Sequence, residues 1–328
     1  MNYLRYVARR AAFAIASVYA IVTLALVMGT VSVFNDIQNS LANARYQGAS
    51  PAEVARLERR LTSAFGLDEP FLDRLVGWWI DVTTFDWGHS TAYDEPVVAV
   101  LGERVATTLE YVVPGLLLAL VVGILLGLYV ALRKDGVVDW SVRLASYVLL
   151  GVPVFVLAVY LGYFAGYEVT LVGGWVLVLP ELGTTAVAAL TVALGLVAGQ
   201  LRFARASALE QTGKSFVKML RAKGATRLRL ARHVLRNAAV PIVSLSITEL
   251  LAVLVLNIYV VERVLDIRGL ADVSLRAVGV IEGRSRSPII ADIPLLVWSV
   301  LVIVFIGIAL SFLQDVLRGY LDPRVGAE

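Results

Sequence analysis

Long uncharged runs separated by short, mostly basic stretches set the pattern of this chain. A bilayer core needs about 20 consecutive apolar residues per helical crossing. Ala11–Phe34, Tyr111–Leu132, Leu144–Tyr167, Leu182–Leu201 and Ile293–Gln314 all reach that length. Ala238–Val261 is a sixth such run if Glu249 is tolerated inside it. Val169–Pro180 is also apolar but only about half the length a crossing needs, so it reads as an interfacial or re-entrant piece. The pattern therefore predicts an all-α polytopic membrane protein with six transmembrane helices, at 11–34, 109–132, 144–167, 182–201, 238–261 and 293–314. Residues 1–10 and 315–328 form the termini, 202–237 a basic loop, and 35–108 and 262–292 the two larger loops on the opposite side.

The long loop carries helical patterning of its own. Ser50-Pro51-Ala52-Glu53 has the form of a helix start, with Ser at the N-cap, Pro in the first turn and Glu at the third position. Val54, Leu57, Leu61 and Phe65 follow at helical spacing, and Gly66 supplies a stop. A second amphipathic stretch runs from Pro70 to Val82, and its Trp78 and Trp79 suit a membrane interface. This loop reads either as a cap on the outer face or as a docking surface for a soluble partner.

Composition agrees with the pattern. Of 328 residues, 59% are hydrophobic and 17% charged, and the mean hydropathy is +0.78. The chain has no cysteine, which removes disulfides, thiolate metal sites and cysteine nucleophiles. The net charge of +3 says less than its distribution. Arg5, Arg9, Arg10, Arg133, Lys134, Arg143, the ten cations from Arg202 to Arg236, Arg318 and Arg324 fall on one side of the six predicted spans. The other side has no cation in Glu168–Glu181, and five cations matched by five carboxylates in Glu262–Asp292. By the positive-inside rule both termini and the basic loop are cytoplasmic. The apolar run after Arg9-Arg10 is too long for the 7–15-residue core of a cleavable signal, so it is expected to remain as a span.

The basic loop is the most distinctive stretch. Helical pattern runs from Arg202 to Met219, with Phe216, Met219 and Leu220 as one apolar face. Gly224 permits a turn that a residue with a Cβ would resist. Leu228, Leu230, Ala231, Val234 and Leu235 then resume an apolar face between Arg227, Arg229, Arg232 and Arg236. The result is a polar knuckle, about Lys218–Thr226, projecting from the membrane. Read from the residues alone, it is either a solvated positive-inside loop or a grip for a partner. Nucleic-acid binding has no supporting motif.

Arg205-Ala206-Ser207-Ala208-Leu209-Glu210, Gly213, Phe216-Val217, Arg221-Ala222-Lys223-Gly224 and Arg232-His233-Val234-Leu235-Arg236-Asn237-Ala238 together resemble the EAA motif of ABC-importer inner-membrane permeases of the dipeptide/oligopeptide/nickel type. Gly66-Leu67-Asp68-Glu69-Pro70, Asp86-Trp87-Gly88-His89-Ser90, Val261-Glu262-Arg263-Val264 with Gly269-Leu270, and Leu321-Asp322-Pro323-Arg324-Val325 extend the resemblance over nearly the whole chain. It departs at Lys218, where other importers carry the motif's glutamate, at Leu220, where a small residue is expected, and at Arg268, where the family has proline. Gly283–Ser287 reads as inserted.

The resemblance implies a type I ABC importer permease fold and a transport subunit rather than an enzyme. The implied partners are a second permease (by family habit a different chain), two cytoplasmic ABC ATPases holding ATP and Mg, and an extracytoplasmic substrate-binding protein. Membrane lipid surrounds the chain, which has no cofactor of its own, and the setting is a prokaryotic cell membrane. Peptides are the implied solute, with nickel or another small solute as the alternative. Lys218, Arg221, Ala222, Lys223, Gly224 and Ala225 are the expected ATPase-coupling residues, with Ala222 and Gly224 as close-packing positions. The basic side chains among them meet ATPase carboxylates or lie on anionic lipid.

Glu249 is costly within a span, so it is expected to face a cavity or a polar partner. It either lines the solute path, with Asn257, or hydrogen-bonds a neighbouring helix; Gln200 poses the same choice. His89 and His233 fall on opposite sides of the membrane, so neither can serve an intramembrane nucleophile or build a metal site. No Gly-x4-Gly-Lys-Ser/Thr pattern occurs, so ATP hydrolysis belongs to another chain. The remaining alternative is a stand-alone secondary transporter, which typically carries internal repeats that are not evident here.

Overall fold

A computed structural model of the protein describes residues 3–64, 66–164, 168–170, 176–178, 182–277 and 292–321, and their side chains except at 64, 168–170, 176–178, 240, 241, 243–256 and 321. The elements in chain order are α1 (Tyr3–Tyr46), α2 (Pro51–Ala64), α3 (Phe71–Thr84), β1 (His89–Ser90), β2 (Glu95–Pro96), α4 (Val97–Ala131), α5 (Val137–Gly151), α6 (Val154–Phe164), β3 (Glu168–Thr170), β4 (Val176–Val178), α7 (Thr184–Thr212), α8 (Ser215–Ala222), α9 (Arg227–Val264), α10 (Leu270–Ala277) and α11 (Ile293–Leu321). Among the described residues α1, α4, α7 and α11 are each long and apolar enough to cross a membrane. The pair α5 and α6 qualifies only when taken together.

That pair departs from the unbroken run expected over 144–167. The axis bends by 98° between α5 and α6. Pro153 disfavours helical geometry in the residue before it, and Val152 is extended there at φ −88° and ψ 118°. The run expected as a fifth span, 238–261, is continuous with the basic segment before it in the single helix α9. Glu249 lies on this helix, but its side chain falls outside the described residues. Around Val169–Pro180 the described pieces β3 and β4 pair as an antiparallel hairpin. Gly283–Ser287 and Asp322–Val325 lie outside the described residues.

The tightest helix contact is the seam between α4 and α7. Gly115, Ala119, Gly123 and Gly127 recur every four residues on α4 and are all buried. A Cβ built on Gly123 would stand 2.6 Å from Cβ of Gln200, and one on Gly127 would stand 2.6 Å from the carbonyl oxygen of Leu201. Small residues at this spacing let two backbones approach closely, and in lipid the packing that results is one of the forces that hold helices together.

The two ends of the bundle gather different residues. At one end the N-terminus of α1 meets the C-terminus of α11. The Tyr6 hydroxyl donates to the Asp315 carbonyl at 3.3 Å, and Arg10 pairs with Asp315 at 3.2 Å. At the other end Val97, Val100 and Leu101 of α4 pack with Leu270 and Val273 of α10 and Leu295, Trp298 and Leu301 of α11.

The long loop packs onto this second end. At 1.5 Å per residue α1 spans about 66 Å, longer than a bilayer core, and its projecting Ile37 and Leu41 pack on Val54 of α2. Helix α2 begins with a capping box. The Ser50 N–H and hydroxyl both donate to the Glu53 carboxylate at 2.8 Å, and these donations hold that carboxyl below the usual carboxylate range. Helix α3 lies against α1 through Trp79, whose ring N–H donates to Thr23 Oγ1 at 3.1 Å, and through an Arg74–Thr30 hydrogen bond. The β1–β2 hairpin is pinned by buried Asp292, which accepts from the Ser90 hydroxyl at 2.6 Å and the Ala92 N–H at 3.1 Å. The same carboxylate caps α11 through the Leu295 N–H.

Candidate functional site

The basic segment folds as a helical knuckle between α7 and α9, and each of its turns has a local cause. Helix α7 gives out at Gly213, Lys214 is extended at ψ 155°, and α8 starts at Ser215. Gly224 ends α8 with φ +71°. The Gly224 N–H donates to the Arg221 carbonyl and the Ala225 N–H to the Leu220 carbonyl, each at 3.0 Å. This pair of bonds is a Schellman motif, which glycine accommodates without the cost a Cβ incurs in the left-handed region. One residue later Thr226 caps α9, accepting from the Arg229 N–H at 3.4 Å.

The knuckle is anchored from beneath. Val217 is fully buried among Leu128 and Ala131 of α4, Ala208 of α7, and Leu230 and Val234 of α9, with Phe216, Leu220, Ala231 and Leu235 around them. The inward face of α8 is therefore Phe216, Val217 and Leu220. Met219, expected on that face, is 51% exposed. Leu228, expected to begin the apolar face of α9, is 82% exposed. Helical spacing identifies residues that share a face, but the anchoring cluster decides which face turns inward.

The expected coupling residues share the outward surface. Lys218, Arg221, Ala222, Lys223 and Gly224 are exposed and Ala225 is half-buried. Among the described residues no carboxylate lies within ion-pairing distance of Lys218, Arg221, Lys223, Arg227 or Arg229. Among the described residues, apart from its own chain neighbours, nothing lies within 4 Å of a Cβ built on Gly224. Its constraint within this chain is thus backbone conformation, and close packing there needs a second molecule.

Two polar clusters escaped sequence reading. Arg205 of α7 donates to Asp139 of α5 through Nε at 2.7 Å and Nη2 at 2.8 Å. Asp139 is completely buried and also accepts from the Asp135 N–H. This fork ties the start of the bent pair to the helix that leads into the knuckle, and bidentate geometry fixes orientation as well as distance. The second cluster lies at the opposite end. Buried Glu262 of α9 accepts from Thr108 Oγ1 at 2.6 Å, the Tyr111 hydroxyl at 3.0 Å and the Asp272 N–H at 2.8 Å. Gly269 lies so close that a Cβ would stand 2.1 Å from Glu262 Oε1. At Arg268, where proline was expected, the turn is made by Asp266 at φ +51°, and the Arg268 carbonyl accepts from Arg104 at 3.2 Å. Glu262 and Gly269 were visible as a motif. Their partners Thr108 and Tyr111, on another helix, carry no local signal.

Asn257 is buried in the bundle interior, its amide nitrogen without a hydrogen-bond partner among the described residues and 3.5 Å from a Cβ built on Gly195 of α7. Gln200 is buried against Gly123, both of its amide atoms unpartnered among the described residues. Neither faces an open surface of this chain. Among the described residues no group of three metal-ligating side chains comes together.

Comparison with known proteins bears on these features. Residues 123–327 match the family model described as the binding-protein-dependent transport system inner membrane component. That segment holds the knuckle, the Arg205–Asp139 fork and the Glu262–Gly269 turn. A Brucella suis biovar 1 protein named for peptide transport is 28% identical over 85% of this chain and 86% of its own. The metal-staphylopine import system permease protein CntB of Staphylococcus aureus is 25% identical over 88% of both chains. The dipeptide transport system permease protein DppB of Lactococcus lactis is 26% identical over 81% of this chain and 84% of its own.

Proposed function

Because the chain belongs to the family of binding-protein-dependent transport system inner membrane components, we propose that it forms half of the path of an ATP-driven ABC importer for peptides. A substrate-binding protein delivers the solute to the end of the bundle that carries α2, α3 and α10. A second permease completes the path, and two cytoplasmic ATPases supply the energy. In this reading the chain crosses the membrane six times, α9 supplying the fifth crossing, with both termini and the knuckle in the cytoplasm.

The observation that carries the reading is the contrast between the two faces of α8. Its inner face is locked by buried Val217, its C-terminal end is closed by a Schellman motif, and the threonine cap of α9 follows directly. Its outer face offers Lys218, Arg221 and exposed Met219, and the turn and the start of α9 that follow add Lys223 and exposed Leu228. A rigid knuckle presenting cations and two apolar side chains suits insertion into a groove of a soluble partner. Closing of the ATPases would push on α8, and the tightly seated α4–α7 seam would move with it as a body.

Peptide as the solute rests on relatives named for peptide and dipeptide transport. A second reading, a small metal chelate, rests on the metal-staphylopine permease at comparable coverage. Uptake of a labelled dipeptide by cells lacking the chain and complemented with it tests the proposal. Wild type is expected to restore uptake, and Arg221→Glu to abolish it at equal membrane abundance. Uptake of a metal chelate but not of dipeptide would favour the second reading. Uptake of neither, with all subunits present, would contradict both.

A further inference from the structure

We propose that a cleft between α5 and α7, at the end of the bundle that carries the knuckle, binds the phosphodiester headgroup of an anionic phospholipid. The cleft measures about 440 Å³ and is lined by Arg143, Ser146 and Tyr147 of α5 and Arg202 and Arg205 of α7. Three guanidinium groups thus meet in one concavity. Asp139 is committed to Arg205 in the bidentate fork, and Asp135 lies 3.8 Å from Lys134. Arg143 and Arg202 have no acidic partner within ion-pairing distance among the described residues. The Nε of Arg143 is buried and makes no hydrogen bond among the described residues. Arg202 stands over the Tyr147 ring at 5.8 Å.

An unpaired buried guanidinium donor is costly, so the site calls for an anionic acceptor with several oxygens. A phosphodiester supplies them, and arginine's planar fork matches that geometry. The surroundings select lipid over a soluble anion. On the outer side of α5, Trp140, Leu144, Tyr147 and Val148 are all exposed, which gives a lipid-facing strip with aromatic rings at its charged end. Arg202 and Arg205 follow directly on the apolar part of α7, at the depth where a headgroup layer begins. Basic pockets between transmembrane helices at this level are where anionic headgroups bind. A lipid held there would brace the Arg205–Asp139 fork and with it the helix that leads into the knuckle.

The inference rests on this end of the bundle lying at a headgroup layer. Its test reads retained lipid and thermal stability, so a failed transport experiment leaves it untouched. Full-length chain is purified in mild detergent, exchanged into phosphatidylglycerol or phosphatidylcholine, and examined by native mass spectrometry and thermal melting. A third sample receives inorganic phosphate alone. The double variant Arg143→Gln/Arg202→Gln spares the Arg205–Asp139 fork and is compared throughout. Wild type is expected to retain phosphatidylglycerol over phosphatidylcholine and to melt higher with it. Retention by the double variant is expected to fall about thirtyfold, in line with the contribution of two cations near a charged headgroup, and its melting without lipid should be unchanged. Equal retention of the two lipids, or an unaltered double variant, would overturn the proposal. Stabilisation by inorganic phosphate equal to that by phosphatidylglycerol would assign the cleft to a soluble anion and overturn it as well. So would loss of a co-purified polypeptide, rather than lipid, in the double variant.

Discussion

At the scale of single residues, the least replaceable positions are those where the backbone itself fills the space. Gly269 is the clearest case. Any side chain there collides with the Glu262 carboxylate and the Thr108 hydroxyl, which are already engaged with each other. Gly269→Ala is expected to destabilise the chain by roughly 1–3 kcal/mol, the usual cost of overpacking, seen as a lower melting temperature in detergent. Gly29→Ala, with nothing within 4 Å of the added atom, is the control and should not shift it. Arg205→Ala leaves the buried Asp139 carboxylate uncompensated and is expected to cost about 3–5 kcal/mol. A double-mutant cycle with Asp139→Ala should recover much of that loss; strict additivity of the two losses would show that the pair is not coupled. These residues also mark where sequence reading stops. The Ser50 cap and the Gly224 turn were legible because donor, acceptor and conformational demand lie within a few positions. Asp139 and Arg205 lie 66 positions apart, and no local pattern links them.

At the scale of elements, the knuckle is packed onto the α4–α7 seam, with Val217 of α8 among Leu128 and Ala131 of α4 and Ala208 of α7. Replacing Gly127 by Val drives a branched side chain into the Leu201 carbonyl and the Ala204 methyl group, which must part the helices. Loss of folded protein from the membrane, or a steep fall in melting temperature, is the expected result, whereas Gly102→Ala on the same helix should behave as wild type. The apolar runs revealed where long helices lie, because hydropathy sums over many residues. It is blind to direction, so the 98° break at Gly151–Val152–Pro153 was absorbed into one predicted span although its proline was in plain view. Periodicity had a matching blind spot at Met219 and Leu228. Their spacing is helical, but only the depth of the Val217 anchor decides that they face outward. That outward turn is what leaves α8 available for the docking proposed above.

At the scale of the whole molecule, two dissimilar ends are joined by close-packed helices. One end is built up by α1's extension, α2, α3 and the Asp292-pinned hairpin. The other is spare and basic, with the knuckle as its projection. The central claim is that this knuckle couples the chain to a soluble ATPase, and co-purification from native membranes in mild detergent tests it most directly. The comparison is wild type against Gly224→Val and Gly224→Asn. Valine is strained in the left-handed conformation that position 224 adopts, by about 1–2 kcal/mol or more, whereas asparagine visits it readily. A P-loop ATPase that remains with wild type and Gly224→Asn, and is lost from Gly224→Val, is the result predicted. A chain that purifies without any ATPase, and still moves solute across vesicles in the absence of ATP, would contradict the account.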